Sequence, residues 1–253
     1  EHAQAARWWI AVSGGRDSVT LLDVIDMWRR HHAAPPVHVI HVHHNLHDHA
    51  DSWAQQCAQL ACERDMVFES HRVTIGPAPL TAASDSETRC APLSEPKAQS
   101  AAQPQAPDAC STSDVHAVAP DGGLENAARR ARYAVFEALL GPGDILFQGH
   151  HADDQVETVL YRLLRGAGPR GLAGIPASRG LGRGQVVRPL LELPRSWIER
   201  WAHTRGLWYV DDPSNSDNRF DRNYLRNVVV PDINRRWPGY RKTIARAADF
   251  SLP

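Results

Sequence analysis

Only two lysines occur in the 253 residues, Lys97 and Lys242. No lysine therefore stands beside the glycine-rich turn near the N-terminus, where a Walker A loop would set one against the β- and γ-phosphates of a nucleotide. The same scarcity disfavours a ligase that stores AMP on a lysine, which needs an activated amine in the pocket. The four cysteines, Cys57, Cys62, Cys90 and Cys110, contain no C-x-x-C pair, so neither a disulfide framework nor a cysteine zinc site is suggested. Runs of about 18 apolar residues are absent, and the opening "EHAQAARWWI" has neither the apolar stretch nor the cleavage site of a secretory signal. We expect a soluble, cytoplasmic protein with no membrane partner. The chain begins without Met and stops at "ADFSLP", so it reads as a piece of something longer.

Net charge is near zero, but the charge is unevenly spread. Residues 1–178 carry 14 Lys+Arg against 21 Asp+Glu, and residues 179–253 carry 14 against 8. A basic C-terminal part of this kind suits a nucleic-acid face, although Arg-rich helices also commonly face water.

Apolar runs alternate with helix-length amphipathic stretches, the pattern of βαβ units. The expected fold is α/β, a Rossmann-like open parallel sheet with helices on both faces, followed by a small helical segment. Strands are expected at Arg7–Val12, Val37–Val42, Val67–Thr74 and Asp144–Gln148, and helices at Asp17–Arg30, Ala50–Arg64, Leu124–Leu140 and Asp153–Arg165. Pro194 suits the first turn of a further helix, and "LWYVDD" reads as one more strand. Residues 76–120, rich in Ala, Pro, Ser, Gln and Asp and without Phe, Tyr or Trp, read as a disordered insertion. We expect a nucleotide-binding catalytic domain over 1–215 and a basic helical segment over 216–253, the start of a C-terminal RNA-binding region.

The stretch "WWIAVSGGRDSVTLLDVI" runs from a strand through a glycine turn into a helix. Such a turn directs backbone N–H groups and the positive end of the helix dipole at one spot, which suits phosphate. Gly14 and Gly15 permit close approach, Ser13 and Ser18 add hydroxyls, and Asp17 is placed to hold Mg²⁺ or to order the loop. A bare S-G-G taken alone fits a plain turn with Asp17 as a helix cap better.

With no lysine beside it, the S-G-G-x-D-S pattern resembles the PP-loop ATP pyrophosphatases, which cleave ATP between the α and β phosphates. That resemblance implies an adenine-nucleotide fold in which Ser13, Gly14, Gly15, Asp17 and Ser18 hold the pyrophosphate and its Mg²⁺. Further blocks, "IHVHHNLHDHADSWAQQCAQLA", "ENAARRARYAVF", "HHADDQVETVLYRLLRGAGPRGLAGIP", "RPLL", "DDPSNSDNRFDRNYLRNVVVP" and "RWPGY", together look like the tRNA(Ile)-lysidine synthetases. The family usually has a short link where residues 76–120 lie, and its longer bacterial members carry additional C-terminal tRNA-binding domains.

The resemblance implies that ATP adenylates the carbonyl oxygen on carbon 2 of the wobble cytidine in a tRNA(Ile) with a CAU anticodon. The ε-amino group of free L-lysine then attacks that carbon and expels AMP. Asp154 and Glu157 lie three apart on one helical face, about 5–6 Å apart at Cβ, a spacing that suits an ammonium. By the resemblance they recognise lysine, with His151 and Asp153 beside them; without it they serve equally as helix N-terminal acids. Arg129 and Arg132 share a helical face and are candidates for the α-phosphate, with surface salt bridging as the plainer role and Arg130 left in solvent. Arg222, Asn223 and Arg226 are candidates for contacts to nucleotide or tRNA backbone.

His41, His43, His44, His47 and His49 straddle a strand end and a loop, which does not favour a dedicated zinc site. The backbone near His41 is expected to lie against adenine, at the carboxyl ends of the strands. The tryptophans at 8, 9, 28, 197, 201, 208 and 237 are expected in core or interdomain packing, with base stacking a weaker role for Trp237. Two rival readings stay open. Another PP-loop enzyme such as a tRNA thiolase would be expected to carry paired or catalytic cysteines. A non-catalytic nucleotide- or RNA-binding module would bind ATP or tRNA without releasing AMP.

Overall fold

In β1 (Trp8–Ala11) the side chains alternate between two apolar layers. Trp8 and Ile10 pack with Val19, Leu21, Leu22 and Ile25 of α1 (Arg16–Arg29), and Trp9 packs on the opposite face with Ala131, Val135 and Phe136 of α3 (Gly123–Leu139). A strand buried on both faces needs this apolar content, and helices on both sides follow from it. The computed structural model describes residues 2–43, 50–75, 112–117 and 123–250.

The remaining strands are β2 (Val37–His43), β3 (Val67–Ile75), β4 (Thr112–Ala117), β5 (Ile145–Phe147), β6 (Ser178–Leu181) and β7 (Gly184–Val187). They form a seven-stranded sheet in the order β4-β3-β2-β1-β5-β7-β6. Every neighbouring pair is parallel except β6 with β7. The other helices are α2 (Ala50–Cys62), α4 (Ala152–Leu164), α5 (Arg195–Thr204), α6 (Asp221–Tyr224), α7 (Val230–Arg236) and α8 (Tyr240–Asp249).

Two expected elements need correction, and one hairpin is new. Within the segment 76–120, residues 112–117 form strand β4, whose ladder runs from Ser70↔Thr112 to Ile75↔Ala117. An edge strand has one hydrogen-bonded neighbour, so pairing along β3 forms it despite a composition poor in apolar residues. The rest of that segment lies outside the described residues. The stretch "LWYVDD" makes no strand: only Val210 pairs, its N–H donating to the Gly14 carbonyl at 2.9 Å. Its partner there is a turn, and Asp212 then caps the next turn by accepting from Ser214 N–H at 2.8 Å. The β6–β7 hairpin was not expected, because "SRGLGRGQVV" lacks an apolar alternation; Gly182, at φ +55°, makes its turn. Of the tryptophans, Trp8 and Trp9 are buried, and Trp197 stacks on Trp201 at 4.9 Å, whereas Trp28, Trp208 and Trp237 are exposed.

Strand β1 is where the chain order reverses, with β2 on one side and β5 on the other. Ligands of open α/β sheets lie outside the carboxyl ends of the strands at such a point. Here the turns after β1 and β5 meet. Gly149 lies so close to α1 that an added Cβ would stand 2.8 Å from the Asp17 carbonyl oxygen and 3.3 Å from the Ser18 nitrogen.

The C-terminal helices return to α4 through one carboxylate. Asp153 accepts from the Arg195 N–H at 2.8 Å, from Arg241 Nε at 2.7 Å and from the Tyr240 hydroxyl at 3.3 Å. Burial opposes its ionised form, but these donors and the nearby His151 outweigh it and hold the carboxyl below its ordinary range. Between α6 and α7 the helix widens into a π turn over Leu225–Val229. Pro231 lacks the amide that would bond to the Asn227 carbonyl, which explains the break in the regular ladder.

Two outcomes are expected. Gly149→Ala has no room against backbone and will destabilise the fold by about 1–3 kcal/mol in denaturant titrations. Asp153→Asn will lower stability at neutral pH by about 2 kcal/mol. Because the folded carboxyl sits below its unfolded value, that stabilisation is present above ~pH 4 and is lost as pH falls through the folded value. Melting curves of the two proteins should therefore converge in acid.

Candidate active site

The turn after β1 is built from short side chains bonded to one another. The Ser18 hydroxyl donates to the Gly15 carbonyl at 2.8 Å and accepts from the Ser13 N–H at 3.1 Å. Ser13 and Ser18 hydroxyls lie 3.2 Å apart, and Gly14 takes φ +86°, which only glycine adopts readily. Cys57 lies beside Gly14, where an added Cβ would meet its sulfur at 3.5 Å. Burial pushes that thiol up to about 12, so it is not a nucleophile at neutral pH.

Neither Asp17 Oδ1 nor Arg16 Nε finds a hydrogen-bond partner among the described residues, although both atoms are buried. The two atoms stand 3.7 Å from each other, an ion-pair separation without a hydrogen bond, so the carboxylate oxygen keeps its lone pairs, and in a turn lined by hydroxyls and glycine it fits a divalent cation carried by a nucleotide. Burial opposes ionisation of Asp17, yet His151, Arg16 and Arg195 together hold it below its ordinary range.

At the N-terminus of α4, His151 is 1% exposed and caps the helix. Its backbone N–H donates to Asp154 Oδ2 at 2.9 Å, and its Nδ1 accepts from the Asp154 N–H at 3.4 Å. His151 Nε2 stands 3.6 Å from both Asp17 Oδ2 and Asp154 Oδ2, an ion-pair separation rather than a hydrogen bond. Burial opposes its charged form, but Asp17, Asp154 and Asp153 outweigh it and raise the imidazole above its ordinary range. The nucleotide turn and the α4 acids are thus joined through one ring.

Glu157, 3% exposed, is held by Arg226 through contacts of 2.6 and 2.8 Å, and Arg226 also stands 3.6 Å from Asp154. Burial raises the Glu157 carboxyl above its ordinary range, with Asp154 adding to the rise and Arg226 opposing it. The two short contacts from one guanidinium have the geometry of a bidentate charge-assisted pair. Arg226 lies in the π turn and points into the acid pair, not outward toward solvent or a nucleic acid.

His41 sits at the end of β2 and donates from Nδ1 to the Val12 carbonyl at 2.8 Å, the residue that leads into the turn. Burial brings it to about 4, so the ring is neutral at physiological pH. His44, His47 and His49 lie outside the described residues.

Other expected residues are placed differently. Asp153 faces α5 and α8, where its carboxylate oxygens are bonded, and bears on the cluster only through its charge near His151. The Asn223 amide is spent on the Ser214 and Asp217 carbonyls, at 2.7 and 2.9 Å, and fixes the preceding loop. Arg222 lies over the Tyr161 ring at 5.9 Å. Arg129 lies 4.9 Å from the Tyr133 ring centroid on α3, while Arg132 is half-buried and close enough to bear on His41. Arg130 is exposed. Sequence reasoning missed Gly149, Arg16, Tyr133, His150 and Arg188. The one available signal was the span from Thr158 to Leu191, which holds six arginines and no acid.

A tRNA(Ile)-lysidine synthase of Pseudomonas putida is 40% identical over 245 residues, covering 97% of this chain and 47% of that protein. Those of Methylococcus capsulatus and Vibrio vulnificus are 36% and 34% identical over 94% of this chain and 45% of theirs. The chain therefore spans about half the length of these curated relatives. Among solved structures, the U34-tRNA thiolase of Methanococcus maripaludis, with its [4Fe-4S] cluster, superposes with a TM-score of 0.64 at 12% identity. It covers 98% of this chain and 73% of the thiolase, a likeness of fold. The PP-loop domain family matches residues 1–90 and 98–233, and the chain belongs to that family.

Proposed function

We propose that the chain carries the catalytic part of a tRNA(Ile)-lysidine synthetase, a ligase that forms a carbon–nitrogen bond at the expense of ATP. The observation that carries the reading is the set Asp17, His151 and Asp154, continued to the buried Glu157 through Arg226. It joins a phosphate-type turn to an acid pair within ion-pair distances.

On this reading Ser13, Gly14, Gly15 and Ser18 hold the phosphates of ATP, Asp17 takes the Mg²⁺, and the backbone near His41 and Val12 borders the adenine. ATP supplies activation of the carbon 2 carbonyl oxygen of the wobble cytidine in a CAU anticodon. The target base has to leave its stack to reach the crevice, as single-stranded RNA sites generally do. Asp154 and Glu157 receive the ammonium of free L-lysine. Arg226 occupies that seat in the structure described here, so it exchanges with the incoming ammonium and keeps the two carboxylates neutralised until then. Arg129 and Arg132 approach from α3 toward the developing phosphate charge, and Arg222 is available to the RNA backbone.

A thiolase reading lacks the cysteines it needs, since Cys57 and Cys62 form no C-x-x-C and the Cys57 thiol is pushed up by burial. No helix among the described residues is long and apolar enough to cross a membrane.

The test is incorporation of labelled lysine into tRNA with Mg-ATP, comparing the intact chain with Asp17→Ala and Asp154→Ala. Label on tRNA that requires ATP is expected from the intact chain, with losses on the order of 100-fold or more in each variant. Release of AMP and pyrophosphate without labelled tRNA would retain the nucleotide half and overturn the lysine assignment. Tight ATP or tRNA binding with no AMP release would instead favour a non-catalytic module.

A further inference from the structure

Arg188 follows β7 and is 4% exposed, yet no carboxylate among the described residues lies within ion-pair distance of it. A buried guanidinium without a counter-ion is costly, and the groups that offset the cost are all neutral acceptors. Its Nη1 donates to the Pro176 carbonyl at 2.7 Å, and its Nη2 to Gln148 Oε1 at 3.1 Å and the Tyr133 hydroxyl oxygen at 3.4 Å. The Tyr133 hydroxyl in turn donates to the same Gln148 oxygen at 3.1 Å. The remaining contact is Nε to His150 Nδ1, at 3.2 Å.

That last contact fixes a proton. A guanidinium Nε–H only donates, so His150 Nδ1 has to accept, and an imidazole that accepts at Nδ1 carries its single proton on Nε2. A doubly protonated ring has no lone pair left for the contact. His150 is half-buried in the turn that also holds Gly149, one residue before the α4 cap.

We propose that Arg188 is a positioning residue that locks His150 as a neutral ring with its proton on Nε2, a fixed hydrogen-bond donor beside the α4 acids. The proposal rests on the nucleotide-and-ammonium reading of the site. In that setting a neutral donor suits an oxygen on which negative charge builds, and it does not compete with lysine for the acid pair as an imidazolium would.

The charged surroundings agree. Burial is the largest influence and brings His150 to about 4; Asp154 on α4 pulls the other way, and Arg188, Arg129 on α3 and His151 push down. Without Arg188, Asp154 is left with less opposition, and the ring both titrates at higher pH and loses its tautomeric preference.

The experiment is ¹⁵N NMR of histidine-labelled intact protein, with His150 assigned by comparison with His150→Gln. The wild type is expected to show His150 protonated at Nε2 and non-titrating between about pH 5.5 and 8. In Arg188→Met the ring should move toward a tautomer mixture and titrate at higher pH than in the wild type, whereas Arg188→Lys, which keeps the charge but lacks the directed Nε–H, should lose the tautomeric preference with a smaller change in titration. AMP release should fall in both variants in step with the loss of the Nε2-protonated form. A wild-type His150 protonated at Nδ1, or titrating near its ordinary value, would overturn the proposal whether or not the variants fold. Failure of lysine incorporation with the tautomer intact would count against the lysidine reading alone.

Discussion

The site depends on one close approach, the backbone at Gly149 against the first turn of α1. With the Asp17 carbonyl oxygen 2.8 Å from where a Cβ would stand, only a residue without a side chain lets the turns after β1 and β5 touch. That contact sets His151 within 3.6 Å of Asp17 and brings the N-termini of α1 and α4 to the same crevice. Two helix dipoles then present positive ends to one place, where each helix also carries acids. On the proposed reading this serves both partners of the reaction, phosphate on the amides and ammonium on the carboxylates.

Three acids within five residues of α4 have three different fates because their neighbours differ. Asp153 faces α5 and α8 and is consumed in holding the tail of the chain. Asp154 turns back to cap its own helix and bonds to the His151 backbone. Glu157, one turn on, is buried and meets Arg226. The π turn that carries Arg226 follows from Pro231, so a backbone irregularity four to five residues further along the chain places the one guanidinium that fills the acid pair.

Four central strands, the five expected helices and the phosphate-type turn were legible from alternation, helical periodicity and glycine placement, each a local signal. Strand β4 was not, since its formation depends on the ladder offered by β3 rather than on its own apolar content. The β6–β7 hairpin was hidden for the same reason, and "LWYVDD" misled because its apolar residues meet a turn instead of a strand. At the site, Asp17 was legible in the glycine turn and His151, Asp154 and Glu157 on one helix, but Arg226 was expected toward nucleotide or tRNA, and its pairing with Glu157 was not legible because 69 residues separate the partners. Arg188 and His150 carry no local pattern that distinguishes a buried unpaired arginine from a solvated one. Asn223 was misread because an amide spent on loop carbonyls and one facing a ligand look alike in sequence.

The central claim is that the nucleotide turn and the acid pair serve one displacement at a cytidine carbonyl. Supplying the chain with tRNA(Ile) carrying ¹⁸O at the carbon 2 oxygen of the wobble cytidine, together with lysine and Mg-ATP, and weighing the released AMP by mass spectrometry tests it directly. Adenylation of that oxygen followed by attack of the lysine amine breaks the carbon–oxygen bond, so the account predicts AMP that carries the ¹⁸O in step with lysine incorporation. Unlabelled AMP, or AMP that takes its oxygen from the lysine carboxylate, would contradict it.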